Sequence, residues 1–523
     1  MNPFRKKNSF LSPETYKRGL VWSVLFNVVN YGLRLANFLV IAFYFGSTIQ
    51  TDIYFYLLGF FLIMTGFFIM LNNSVVIPEA MRIRTQNGNR ESIRFLNFFI
   101  GIYLSVLIVI AVIVALFPIQ CFGLISKFEG PTLATNLSLF LFALPLIILL
   151  GISRLLTDIF TSYRFFTVPM IVGAIEGVFC ILFVVFFHKL LNIKSALLGS
   201  ILAGIFNVFM LLLLMKRKLE WKFGFKWMKI ERRIWKNVFY AQVGNITSLL
   251  SSYFPLYIMS GFGAGIITSL NYAQQISDAP NKFAIQQFSV VSGIKFNELH
   301  ASSNSKNELN STFIRVSDFL LFFMFPISSF LFFFTDSIVE LIFGYTKVNP
   351  ENLHNIALLL KYLGLLSPFV VINTMISRLF MAAHKIKESY WYQVAMNALF
   401  IPMLFLFVHQ LGIVGYPVAI LIFHCINVIA IFFLSKMFFK FLNYKKILEK
   451  FCVLLLLNLF IGTVTFYSLS FIPNIEKIVL GLLLYAALLL LLNQLFKINE
   501  FVYDQTAKYL HRTKMRLSKF ISS

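Results

Sequence analysis

Four polar side chains inside one long apolar stretch, Asn27, Asn30, Arg34 and Asn37, are spaced 3, 4 and 3 apart. On a helix of 3.6 residues per turn those steps share one face, with Tyr31 beside them. An arginine at the centre of a membrane helix costs roughly 2.5–3.5 kcal/mol on insertion scales, so it belongs against protein interior or a wet cavity. A second stripe, Asn271, Gln275, Asp278, Lys282, Gln286 and Ser289, repeats the pattern in the middle of the chain. Guanidinium and ammonium groups hold phosphate oxygens, amides hold hydroxyls, and aromatic rings stack on sugar faces. The chemistry implied is binding of an anionic head group that bears sugars. Each stripe also has a static reading: Arg34 satisfied by a neighbouring carbonyl or acid, and Asp278 with Lys282 as a self-neutralised i,i+4 pair.

Other ionisable groups suggest control of movement rather than bond chemistry. Asp52, Glu79 and Glu176 are the acids placed to take part in gating or ion coupling, and each has a structural reading as an ion-pair partner. Arg154, four residues before Asp158, and its counterpart Arg378 read as gates or anchors. No catalytic residues and no metal ligands are expected, because the four cysteines have no ligand spacing and the seven histidines are scattered. A membrane glycosyltransferase would need acids gathered in a large outer loop. The longest outer loops expected, 119–135 and 335–352, offer Glu129, Asp336, Glu340 and Glu351 in no catalytic spacing. No cofactor is expected, and a cation gradient or the membrane potential is the candidate driving force.

The elements that must position these groups follow from composition. A chain of 523 residues with 59% hydrophobic residues, 13% charged residues and a mean hydropathy of +0.81 is a polytopic all-α membrane protein. Windows able to cross about 30 Å of hydrocarbon define helices 1 to 14 at 20–45, 53–80, 95–118, 136–158, 166–188, 195–215, 237–261, 267–292, 313–334, 353–380, 389–410, 412–435, 451–472 and 476–496. The net charge of +24 falls mostly on alternate loops, as the positive-inside rule requires, so both termini are expected in the cytoplasm and no nucleic-acid partner is implied. The N-terminal Arg5, Lys6, Lys7, Lys17 and Arg18 lead into what reads as a retained first span.

Internal repeats set the organisation. Phe45-Gly46-Ser47-Thr48 returns as Phe262-Gly263-Ala264-Gly265, Ser74-Val75-Val76 as Ser289-Val290-Val291, and Ile152-Ser153-Arg154-Leu155 as Ile376-Ser377-Arg378-Leu379. The last pair follows mid-helix Pro145 and Pro368. Two pseudo-symmetric six-helix lobes are therefore expected, 1–215 and 237–436, joined by a basic amphipathic linker, 216–236. Two extra helices, 437–496, and a basic tail, 497–523, with Tyr509, Met515, Leu517 and Ile521 on a surface helix, complete the chain. By symmetry helices 1, 2, 7 and 8 should line one cleft.

The residues Phe45 to Phe55, Ser74 to Pro78, Gly263 to Pro280 and Tyr163-Arg164-Phe165 ahead of Pro169 resemble the MurJ (MviN) lipid II flippases. The resemblance implies the multidrug/oligosaccharidyl-lipid/polysaccharide exporter superfamily, which also holds the Wzx-type polysaccharide flippases. It implies fourteen helices and movement of an undecaprenyl-diphosphate-linked oligosaccharide to the outer leaflet of the bacterial inner membrane. The partners it implies are that substrate and membrane lipids, with a monomer as the working unit and a groove at helices 13 and 14 for the polyprenyl tail. The family's first-helix arginine falls at Asn37, one turn from Arg34. Its helix 2 arginine is absent near Thr65–Gly66, and Gln274 and Gln275 stand where it carries an acid and an arginine. These departures favour a polysaccharide repeat unit over lipid II. A drug or small-molecule exporter of the same superfamily and, distantly, a glycosyltransferase are the alternatives.

Overall fold

In hydrocarbon a backbone polar group finds no partner outside its own segment, so apolar runs of this length must coil into helices. The computed structural model describes residues 16–225, 227, 228, 231–301 and 306–506, and helix is the only regular secondary structure among them. Eleven helical stretches of the described residues are long and apolar enough to span a membrane. The expected windows 389–410 and 412–435 run as one such stretch, Lys387–Phe438, turned at the 3-10 segment Gly412–Val414. Helix 7, Arg232–Met259, and helix 8, which begins at Ile266–Ser277, form at their expected places but are too polar to count by hydropathy. Arg5, Lys6, Lys7, Lys226, Lys229 and the tail residues Tyr509, Met515, Leu517 and Ile521 lie outside the described residues.

The repeat shows itself in where helices break. Helix 4 is interrupted at Leu144, before Pro145, and helix 10 at Gly364–Leu366, before Ser367 and Pro368. A proline ring removes an amide donor and crowds the preceding turn, which gives both breaks one cause. Helices 2 and 8 share another irregularity, a π turn at Asn72–Val76 and at Asn281–Ile285. Short helices Pro118–Ile125 and Thr335–Phe343 occupy the two longest loops.

Two compact units are present. The first holds the described residues of Met1–Asn271, Thr346–Asn352 and Gln393–Ile413. Helix association between spans depends on close backbone approach at small residues. Here helix 7 lies along helix 2, with Leu256 against Gly59 and Leu249 against Gly66, where an added Cβ would sit 3.2 and 3.3 Å from leucine methyls. Helix 5, Val168–Leu191, offers Gly173 and Gly177 to Asn30 and Leu33 of helix 1 in the same way. The second unit holds Tyr272–Tyr345, Leu353–Tyr392 and the described residues of Val414–Ser523. Its core is aromatic, with Phe325, Phe369 and Phe451 in edge contact.

The linker is not helical between Lys218 and Arg232 at its described positions. Trp221 is buried and donates its indole N–H to Asn97 Oδ1 at 2.7 Å, while Asn97 donates to the Lys222 carbonyl. Phe225 and Trp227 lie against Phe98, so this basic strip is strapped to the end of helix 3.

Candidate functional site

Helix 1 carries its stripe against helix 5. Asn27 and Arg34 are exposed, while Asn30 and Asn37 are partly covered. Asn30 donates to the Met170 carbonyl at 3.1 Å. The amide oxygens of Asn30 and Asn37 are buried and meet no donor among the described residues. Glu176 of helix 5 lies within the field of Arg34, brought there by the glycines on either side of it. Among the described residues the two charges form no ion pair, and Arg34 is exposed. The Gly173-x-x-x-Gly177 spacing is the sequence signal for this approach, and our sequence reading passed over it.

Asp52 is a different kind of acid. It is 1% exposed and accepts from the Gly265 amide at 2.6 Å, the Thr268 amide at 2.8 Å and the Thr268 hydroxyl at 2.6 Å. A carboxylate at the start of Ile266–Ser277 meets unpaired amides and the positive end of the helix dipole. Asn352 completes this end of the unit by donating to Ser47 Oγ at 3.0 Å and the Ala264 carbonyl at 3.3 Å. Gly46 and Gly265 have φ of +64° and +92°, and a Cβ there would strike the Lys347 carbonyl at 2.1 Å and Asn352 at 1.9 Å. The repeated glycine-rich turns are thus required both for their backbone and for this close approach.

At the other end of helix 2, buried Glu79 accepts from Arg82 at 2.7 Å and from Arg233 of helix 7 at 3.0 Å. Nearby, Arg84 lies over the Tyr163 ring at 3.5 Å and reaches Ser162. Burial pushes the Tyr163 phenol up, and the Arg84 guanidinium pulls it partly back. Arg154 pairs with Asp158 at 3.6 Å, and Asp158 accepts at 2.8 Å from Asn72, the first residue of the helix 2 π turn. Its repeat partner Arg378 donates to Ser289 Oγ of helix 8 at 3.4 Å. Asp158, next to Arg154, and Arg378 thus tie each proline-broken helix to the π-turn half of helix 2 or helix 8.

On helix 8, Lys282 meets Asp278 at 3.2 Å, and Lys282 sits inside the π turn. Their side chains are 29% and 49% exposed. Asn271 and Gln275 are half-buried, and Gln274, outside the expected stripe, donates to the Tyr416 hydroxyl at 3.1 Å. On helix 7, Gln242 donates to the Phe67 carbonyl at 3.3 Å. Gln242 Oε1 and Asn245 Nδ2 are buried with no partner.

Each unit has an apolar groove. In the second, about 170 Å³ is lined by Phe325, Phe332, Phe333, Pro368, Leu455 and Leu459, so its walls come from helices 9, 10, 12 and 13, without helix 14. In the first, about 590 Å³ is lined by residues of helices 2, 3 and 7, among them Phe60, Phe67, Tyr103 and Tyr253. Among the described residues no group of histidine, cysteine or acidic side chains is placed to hold a metal ion.

Repeated, proline-broken spans with polar stripes inside them define a polytopic all-helical membrane fold. The fold is similar to that of the lipid II flippase MurJ in an inward closed conformation, with a TM-score of 0.75 at 20% identity over 90% of this chain and 99% of that one. It is also similar to an inward-facing multidrug resistance MATE family transporter of the MOP superfamily, with a TM-score of 0.60 at 13% identity over 82% and 96% of the two chains. The Vibrio cholerae MATE transporter VcmN in its bent form gives 0.51 at 15% identity over 84% and 98%. No curated protein matches. The family model of the lipid II flippase MurJ matches residues 41–486, and the chain belongs to the MurJ family. That family is one of transporters, and the chain is a multi-pass membrane protein.

Proposed function

We propose that the chain flips an undecaprenyl-diphosphate-linked oligosaccharide from the inner to the outer leaflet of the bacterial inner membrane by alternating access. Both termini stand in the cytoplasm, the monomer is the working unit, and a cation gradient or the membrane potential drives the cycle. The observation that carries this reading is the helix 1 stripe. An exposed guanidinium stands at mid-span between two amides whose oxygens are buried without a donor among the described residues. The diphosphate is the feature common to all such substrates, and Arg34 holds it in two parallel hydrogen bonds. Saccharide hydroxyls supply donors to Asn30 and Asn37. A drug exporter would present a bare carboxylate instead, whereas Asp52 is consumed by its three hydrogen bonds and Glu176 lies near Arg34.

Lipid II is the second reading for the glycan, favoured by the family match. Against it stand Gly66, packed on Leu249 where the resembled family has an arginine, and Gln274, committed to Tyr416. The test is Arg34→Gln beside Arg34→Lys at equal protein levels in the membrane. Arg34→Gln is expected to abolish surface glycan assembly and weaken polyprenyl-diphosphate binding to purified protein, with Arg34→Lys partly active. Normal assembly in Arg34→Gln would make Arg34 structural and sink the anionic-substrate reading. Cysteines introduced near 348 and 474 should label from outside the cell, and those near 88, 225 and 442 should not.

A further inference from the structure

Helices 10, 11 and 12 share a polar chain that substrate binding leaves unused. Tyr392 donates its hydroxyl to Asn427 Oδ1, Asn427 Nδ2 donates to Asn373 Oδ1 at 2.8 Å, and Asn373 Nδ2 meets His424 Nδ1 at 2.9 Å. An amide nitrogen can only donate, so His424 Nδ1 accepts and carries no proton in this arrangement. Both ends of each amide are used. Neither asparagine can turn over alone without setting donor against donor or acceptor against acceptor.

One proton changes the direction of the whole chain. With Nδ1 protonated, His424 must donate, and Asn373 must present its oxygen to it. Asn373 Nδ2 then donates to Asn427 Oδ1, and Asn427 Nδ2 donates to the Tyr392 oxygen. The Tyr392 hydroxyl hydrogen needs a new acceptor, and the Asn427 carbonyl already lies 3.4 Å away. Both states are fully hydrogen-bonded, as a two-state element requires.

Among the described residues, charged groups on the surrounding helices are turned to partners of their own. Of the groups on helices packed around it, Arg378 of helix 10 is turned to Ser289, Lys450 of helix 13 to Asp318 and Ile498, and Lys445 to Glu449. Other titratable groups of the described residues on these helices include the phenols of Tyr392 and Tyr444 and the thiol of Cys425. Phe369 and Phe423 rings flank the imidazole at centroid distances of 6.4 and 5.4 Å.

We propose that His424 is a proton-binding site and that its protonation at Nδ1 reverses the Tyr392–Asn427–Asn373–His424 chain, changing how helices 10, 11 and 12 hold one another. In a transporter this couples a proton to helix rearrangement. That role rests on the transport reading, while the switch itself does not.

The experiment is hydrogen–deuterium exchange of the full chain in lipid nanodiscs, corrected for intrinsic rate, between about pH 3.5 and pH 8, a range wide enough for a buried imidazole to change charge. Wild type is expected to show a several-fold step in exchange in peptides from 367–382, 386–411 and 415–438. His424→Gln, always neutral, should remove the step in all three. Tyr392→Phe, which keeps the histidine, should retain a step in 367–382 and 415–438 and lose it in 386–411; it decides the matter if His424→Gln does not fold. A wild type without a step, or a step unchanged in His424→Gln or Tyr392→Phe, overturns the proposal. A chain that flips no substrate yet shows the step and its loss refutes the transport reading and leaves the switch standing.

Discussion

Asp52 and Asp278 are both carboxylates in membrane-spanning helices, and the chain treats them in opposite ways. Asp52 is buried and accepts from two backbone amides and a hydroxyl that belong to the start of helix 8. Asp278 is half exposed and has one charged neighbour, four residues along its own helix. A buried charge persists where every lone pair is met, so Asp52 is part of the framework. A half-met charge in a span retains capacity for a ligand or an ion. Arg34 stands with Asp278 in this respect, since it is exposed and Glu176 lies near it without closing to an ion pair.

The largest expected effect lies at Asp52. Hydrogen bonds to a charged acceptor contribute roughly 1.5–3 kcal/mol each and are not additive, so Asp52→Ala should destabilise the protein by about 3 kcal/mol. Asp52→Asn, which keeps one acceptor oxygen, should fall between. Thermal unfolding in detergent measures both. An Asp52→Ala protein with an unchanged transition would show that the clamp is incidental and would remove the contrast with Asp278. Glu79→Gln should cost less, about 1 kcal/mol, because its partners Arg82 and Arg233 are 41% and 49% exposed and water screens them. A loss as large as that of Asp52→Ala would place Glu79 in the same framework class.

What the sequence made legible was local. The windows, the paired breaks before Pro145 and Pro368, and the returning glycine-rich turns all rest on spacing and backbone chemistry within a few residues. Asp52 was visible as an acid at the end of a span, but its partners are 213 and 216 residues away, and no periodicity announces them. The Arg34 and Glu176 approach had a signal in Gly173 and Gly177, yet a small-residue motif does not name the helix it will meet. The π turns in helices 2 and 8 had none, since a one-residue bulge leaves composition unchanged. His424 looked like one scattered histidine, because a chain of four residues on three helices exists only once those helices pack.

The smallest stability effect is expected where the functional interest is greatest. Asp278 and Lys282 are an exposed i,i+4 pair, which stabilises a helix by about 0.3–0.5 kcal/mol. Lys282→Gln should therefore barely move the unfolding transition. Its effect on transport is read separately, because a cation in a span can also meet an anionic ligand. A double-mutant cycle separates the two roles. If Lys282 serves only to neutralise Asp278, each single glutamine variant leaves one charge alone in the span and impairs transport, and the double variant recovers it. If Lys282 meets the substrate, the double variant is as inactive as Lys282→Gln, since removing Asp278 cannot restore the lost cation. We expect the second outcome. It would place Lys282 beside Arg34 among the charges that meet the substrate, whereas recovery in the double variant would move the pair to the side of Asp52.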